Sequence, residues 1–396
     1  MLQKMKIKLD LNREYGIVLE GGGARGAYQV GAWRALREAG VKIKGVSGTS
    51  VGALNGAMIC MDELEKAEKV WENLDYPDVF DVDPKVIDSL KTMDFRSFNF
   101  TEIAAEMKKA VKDRGLNIEP MKALIEDMVE EEKIRNSDCE FYATAFSVTD
   151  VKEVNFDVRQ AEEGTMKDML LASSYFPGFK NDKLFGKTFM DGGSVNNVPI
   201  NVLTDRGYKD VIVIRIFGIG VDREKLFDIP EDVNIYRIEP RRNLGGILEF
   251  DAEKAKRNMK LGYYDAMRML YGLEGRKYYI DMPYSEAYYF DKMMSELAIL
   301  QDYLTPYVKE KDLDKISGYR AYTEKIFPFL AKKMKLKSDW DYRDFYGALL
   351  ELCAKKMGLD VLAIYTADDI ISRVHRILGE KNKLGEITDG WKREKA

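Results

Sequence analysis

The chain has 396 residues, 45% hydrophobic and 33% charged, enough for one large domain and a smaller one of ordinary globular composition, which excludes extended disorder. Its formal net charge of -5 argues against a nucleic-acid partner, which usually leaves a basic footprint, and its single histidine, His375, excludes any mechanism or metal site that needs two. Cys60, Cys139 and Cys353 are too scattered for a disulfide framework or a clustered zinc site, so a reducing compartment is expected.

The N-terminal MLQKMKIKLDLNREYG carries scattered charges and no apolar stretch, and nowhere do roughly 18 apolar residues run uninterrupted. A cytoplasmic protein is expected, at most peripheral at membranes. Ile17 to Leu19 read as a strand and lead into VLEGGGARGAY, after which Tyr28, Ala32, Ala35, Leu36 and Ala39 recur at helical spacing up to a stop at Gly40. Gly21, Gly23 and Gly26 fit the dinucleotide fingerprint G-x-G-x-x-G. That reading needs an acidic residue about 20 positions on, at the end of the next strand, to take the ribose hydroxyls. Val46, Ser47 and Gly48 stand there instead, after a short strand from Ile43, and no G-K-[ST] follows to make a P-loop. The other reading of Gly21, Gly22 and Gly23 is an oxyanion hole of backbone N–H groups at a helix N-terminus, with Arg25 adding charge or locking the loop.

Gly48-Thr49-Ser50-Val51-Gly52 is G-x-S-x-G, the sharp strand-to-helix turn that lifts a serine hydroxyl above a sheet. It precedes Gly52, Ala53, Gly56 and Ala57, a helix face thin enough to lie directly on that sheet. From Tyr76 to Asn136 the pattern is charged and helical, with Phe80, Phe95, Phe98 and Phe100 near its start: a cap over a site, or a plain helical layer. CEFYATAFSV from Cys139 and DVIVIRIF ending at Phe217 read as strands, the second apolar enough to be covered on both faces. Strands alternating with helices indicate an α/β fold with a mainly parallel sheet.

Lys187 to Met190 form a further strand, followed by Asp191-Gly192-Gly193, which is either a common turn or a carboxylate brought near the elbow, its pKa raised by partial burial toward that of a useful base. His375 is the other candidate base, and the order Ser50, Asp191, His375 matches an α/β-hydrolase triad, although the histidine lies between Ile371 and Leu378 in an apolar-striped helix. After about Pro283 helices dominate: Phe345, Leu349, Leu352 and Cys353 make one stripe, ending at Gly358, and Ile370, Ile371, Val374, Ile377 and Leu378 another, opened by Thr366 with Asp369 as a capping pair and stopped by Gly379. The expected division is 1–282 for an α/β catalytic domain and 283–396 for a helical one. Tyr284, Tyr288, Tyr289, Phe290, Tyr303 and Tyr307 suit either a lipid interface or the core between helices. No D-x-[DN]-x-[DN]-G loop is present, so neither calcium nor any other metal or cofactor is expected.

GGGARG, GTSVG and DGG, in this order and with ASSYFPGF from Ala172 (including Pro177) ahead of the last, resemble the patatin-like phospholipase family over roughly residues 13 to 275. The resemblance implies a three-layer sandwich around a mainly parallel sheet, and a Ser-Asp dyad that uses no histidine. Residue by residue, it makes Ser50 the nucleophile, Asp191 the base, Gly21, Gly22 and Gly23 with Arg25 the oxyanion loop, and Gly48 and Gly52 the elbow. The expectation is a serine acyl hydrolase acting on phospholipid or lysophospholipid esters; a soluble carboxylesterase or thioesterase with the same dyad, and a lipid- or partner-binding module, are the alternatives.

Overall fold

The computed structural model describes residues 5–79, 117–175, 182–222, 229–295 and 318–379. The chain forms two compact units, Met1–Tyr271 and Gly272–Ala396. The first is α/β. Its sheet comprises β1 (Glu14–Leu19), β2 (Lys42–Thr49), β3 (Glu140–Ser147), β4 (Lys152–Asp157), β5 (Phe189–Asp191), β6 (Asp210–Ile214) and β7 (Asn234–Ile238). The strand order is β4-β3-β2-β1-β6-β7, with β5 paired to β3. β3, β2, β1, β6 and β7 are mutually parallel, whereas β4 and β5 run antiparallel to β3.

Ile17, Val18 and Leu19 of β1 and Val211 to Ile214 of β6 are wholly buried, as central strands covered on both faces must be. β6 ends earlier than its apolar pattern predicts, because the chain turns out of the sheet before Phe217, whose φ is 49°.

Helices α1 (Ala27–Glu38), α2 (Val51–Cys60), α3 (Leu64–Asn73), α4 (Glu119–Met128), α5 (Met166–Ser173) and α6 (Ala252–Tyr271) pack around this sheet and one another. α2 lies directly on the strands, as its small-residue face predicts. A Cβ at Gly56 would stand 2.8 Å from the Phe141 ring, and one at Gly52 would collide with the Leu19 carbonyl. α1 and α6 touch backbone to backbone through a reciprocal pair: Gly31 sits against the Met259 carbonyl and Gly262 against that of Tyr28. Beside this contact the buried Tyr28 hydroxyl donates to Asp265 at 2.9 Å. Phe80, Phe95, Phe98 and Phe100, and Pro177, lie outside the described residues.

The second unit is mostly helical. It also holds a small parallel pair of strands, β8 (Tyr279–Asp281) and β9 (Ile364–Thr366), so residues 272–282 pack with this unit. Its core gathers Ile280, Tyr289, Phe327, Phe345, Leu350 and Ile370. Helix α7 (Tyr342–Lys356) starts with a capping box between Asp341 and Asp344; its buried stripe is Phe345, Tyr346, Leu350 and Ala354, rotated from the predicted one. Helix α8 (Ala367–Gly379) opens with the expected reciprocal bonds, at 3.0 Å each, between Thr366 and Asp369. Of the tyrosines that suited either interface or core, Tyr289 is buried and stacked on Tyr346, Tyr284 and Tyr288 are exposed, and Tyr303 and Tyr307 lie outside the described residues.

Candidate active site

The site assembles where β1 and β2 end. Ser50, between β2 and α2, has φ 56° and ψ -126°, a region few non-glycine residues enter. The turn is held from both sides. The Ser50 N–H donates to Ser173 Oγ at 3.0 Å, and the Ser173 hydroxyl donates to the Thr144 carbonyl at 2.6 Å. The two motif glycines are required by space: a Cβ on Gly48 would strike the Gly52 carbonyl, and one on Gly52 the Leu19 carbonyl.

Asp191 terminates β5 and is 3% exposed. Oδ1 accepts the Gly193 N–H at 2.8 Å, while Oδ2 is buried without a completed hydrogen bond. Burial pushes its pKa up to about 6; the Ser50 side chain and the Gly193 N–H pull the other way. Gly192 is needed because a Cβ there would collide with the Thr144 carbonyl. The DGG turn thus passes over β3 at the residue paired with Thr49.

The glycine loop closes the other side. The Gly21 N–H donates to the Asn197 carbonyl at 3.1 Å, and the Asn197 side chain donates back to the Gly21 carbonyl at 3.1 Å, so this glycine's donor is already spent. Ala24 N–H is spent on Ile247. Among the described residues no acceptor takes the N–H of Gly22 or Gly23, and both line the cavity that Ser50 and Asp191 share. Gly23, at φ 55°, also sits against the Ile247 carbonyl with no room for a Cβ. The Arg25 guanidinium, in contrast, is bound to the carbonyls of Gly245 (2.8 Å), Ile216 and Phe217. It locks the loop from outside the cavity lining.

The rest of that lining is mainly apolar: Leu54 from α2, Trp71 from α3, Met121, Leu124 and Met128 from α4, and Phe250 ahead of α6. Residues 17–204 match the sequence profile of the family described as patatin-like phospholipase. The chain carries a patatin-like phospholipase domain. Over 209 residues it is 26% identical to patatin-like phospholipase domain-containing protein 7 of Mus musculus, covering 50% of this chain and 13% of that protein. Over 50 residues it is 56% identical to lysophospholipase nte1 of Aspergillus terreus, covering 13% of this chain and 3% of that protein. The chain therefore corresponds to a small fraction of the length of these curated relatives. VipD from Legionella pneumophila is similar in structure at a TM-score of 0.40 and 15% identity, covering 87% of this chain and 85% of that one.

In and just beyond the patatin-like domain, several residues that spacing did not reveal support the site. Glu20 is 2% exposed; its carboxylate accepts from Arg215 Nε (3.0 Å) and from the backbone N–H groups of Ile216 (2.7 Å) and Phe217 (3.0 Å). Arg215 in turn binds Asp222 at 2.7 Å. A second buried chain runs from Trp71 Nε1 to Asn55, from Asn55 to Gln29 and the Gly26 carbonyl, and from Gln29 to the Glu20 carbonyl, tying the glycine loop to α1, α2 and α3. The one signal available beforehand was an acidic residue directly before three glycines. His375 belongs to the second unit, is exposed on α8, and does not line the cavity.

Proposed function

We propose that the patatin-like domain is a serine acyl hydrolase cleaving ester bonds of phospholipids or lysophospholipids. One observation carries this reading: a serine in strained backbone geometry, a buried carboxylate with its pKa near 6 and two unspent backbone N–H groups converge on one apolar cavity. In the mechanism, ionised Asp191 takes the Ser50 proton as Oγ attacks the ester carbonyl. The tetrahedral oxygen receives its hydrogen bonds from the N–H groups of Gly22 and Gly23, while Gly21 and Arg25 hold that loop in place. Collapse breaks the C–O bond, Asp191 returns the proton to the departing alcohol, and an acyl-Ser50 ester remains. Water then gives its proton to Asp191 and attacks this ester, and Ser50 leaves with the proton as the fatty acid is released. The apolar walls from α2, α3 and α4 accommodate the acyl chain.

The experiment that tests it is intact-mass analysis after treatment with a long-chain fluorophosphonate, with Ser50→Ala, Asp191→Ala and His375→Ala alongside. The expected result is a single adduct on wild type and on His375→Ala, absent from Ser50→Ala and strongly slowed in Asp191→Ala. Labelling of Ser50→Ala would sink the assignment of the nucleophile, and loss of labelling in His375→Ala would replace the dyad with a triad.

A further inference from the structure

We infer that the edge of the sheet bearing Ser50 is a docking rim for an anionic lipid surface, formed by Val148, Val151, Phe185 and Phe217 with Lys152 and Lys183. The choice of lipid as the occupant rests on the acyl-hydrolase reading; the rim itself rests on geometry. These four are the exposed large apolar side chains among the described residues of the first unit, at 39%, 77%, 46% and 49%.

All four share one edge. β1, β2, β3 and β6 are parallel, so their C-terminal ends lie together; the glycine loop follows β1 and Ser50 follows β2. Val148 and Val151 sit in the turn after β3, and Phe217 lies just beyond β6. β5 runs back along β3 with Phe189 opposite Ser147, which puts Phe185 at the same end. Because Thr144 is the partner of Thr49, β3 continues three residues past that level, and its turn stands about 10 Å beyond the end of β2.

Backbone geometry singles these positions out a second time. Val151, Phe185 and Phe217 have φ of 52°, 52° and 49°, left-handed conformations that cost a bulky residue roughly 1–2 kcal/mol each. Asparagine or glycine would fit the backbone there more easily; Phe185 also meets the Phe156 and Phe189 rings and Phe217 the Arg215 guanidinium, so the whole of Val151 and the outer faces of the two rings are what remains free. The turns are also held firmly: Val148 N–H bonds Thr188 and Thr188 N–H bonds Thr149, while Phe217 is fixed through its N–H by Glu20 and through its carbonyl by Arg25. Apolar tips presented this way need little ordering on insertion.

The charges around the tips give the partner its sign. Of the acids of the two turns, Asp150 pairs with Lys187 and Asp182 with Lys122 at 2.7 Å each, and Lys122 also holds Glu119 at 3.0 Å. Lys152 and Lys183, next to those turns, are exposed and enter no ion pair among the described residues. Lys122, Lys152, Lys183 and Lys187 thus stand against Asp150, Asp182 and Glu119, which on a chain of net charge -5 leaves a slightly positive, apolar rim, the combination that binds anionic headgroups while side chains enter the acyl boundary. No helix among the described residues is long and apolar enough to cross a membrane, so the rim would act at the surface.

The test is flotation of the full chain with vesicles of phosphatidylcholine, with and without phosphatidylserine, comparing wild type, V151N/F185N, K152E/K183E and S50A. Asparagine suits the left-handed backbone, so V151N/F185N is expected to fold and to turn over a short-chain soluble ester like wild type, while its vesicle binding falls by about tenfold or more. K152E/K183E is expected to lose the preference for phosphatidylserine, and S50A to bind like wild type. The inference is overturned if wild type binds neither vesicle, or if V151N/F185N, shown folded by its ester turnover, binds as well as wild type. Vesicle binding without ester hydrolysis would support the rim while sinking the proposed function, and hydrolysis without binding the reverse.

Discussion

Ser50 and Asp191 meet because β3 holds both of their neighbourhoods: Thr49 pairs with Thr144 and Asp191 with Ala145, the next residue along. β5 takes up the place beside β3 that β2 vacates at the elbow. The separation of the Ser50 and Asp191 side chains is therefore set by backbone register, which a change of one residue would reverse from face to face.

Acylation is expected to follow the ionisation of Asp191. Its pKa stands at about 6 through burial, so kcat/KM for a soluble ester should climb as pH rises through about 6 and then level off. D191N should abolish the rising limb together with most of the activity. A pH–rate profile of wild type with no inflection between about 5 and 7 would remove the base role.

The same burial has a cost in stability, with a definite sign. Asp191 holds its proton to higher pH in the folded state than the ordinary value of 3.8. Its contribution is thus most favourable below about pH 4 and is lost as pH rises through about 6, a change of about 3 kcal/mol. D191N is neutral throughout and should exceed wild type in urea stability near about pH 8, with the gap closing toward about pH 4. A gap independent of pH would contradict this.

Much of this architecture was legible in the residues, for local reasons. Gly48, Gly52 and Gly192 stand where any Cβ would hit a carbonyl, so the motifs that contain them mark close approaches of backbone to backbone. The apolar run of β6 and the thin face of α2 announce burial by their composition. What stayed hidden depends on pairings across the fold. Nothing in the spacing of Ser173, Asn197 or Arg215 says that each will meet Ser50, Gly21 or Glu20. The buried stripe of α7 was displaced because helical spacing fixes a face only to within about a third of a turn, and the tertiary partners choose between neighbours. The sequence allows Arg25 to be a lock or an oxyanion charge; three carbonyls around its guanidinium favour the lock.

The contact between α1 and α6 supplies a stability test far from the chemistry. Gly31 and Gly262 each face a carbonyl of the opposite helix, and neither carbonyl can move without shifting its helix. G31A raises helix propensity yet should destabilise the first unit by roughly 1–3 kcal/mol through overpacking. Urea unfolding would register this as a lower midpoint. A change smaller than about 0.5 kcal/mol would mean that the two helices separate at little cost.

Ser173 should matter more to rate than to substrate binding. Its hydroxyl is the only group joining the Ser50 N–H to the Thr144 carbonyl among the described residues, and it is wholly buried. S173A leaves the Ser50 N–H without its acceptor and takes a donor from the Thr144 carbonyl, a loss of about 1–3 kcal/mol in stability. It also frees the strained turn at φ 56°, so Ser50 Oγ drifts from its line of attack. A shift approaching an ångström is enough to lower kcat by about 100-fold. KM, set by the apolar walls, should change little, and the inflection near pH 6 should persist because Asp191 keeps its burial. Steady-state kinetics across pH separates these effects. An unchanged kcat in a protein of lower melting temperature would reduce Ser173 to a packing residue, and a moved inflection would mean that it acts through Asp191 instead.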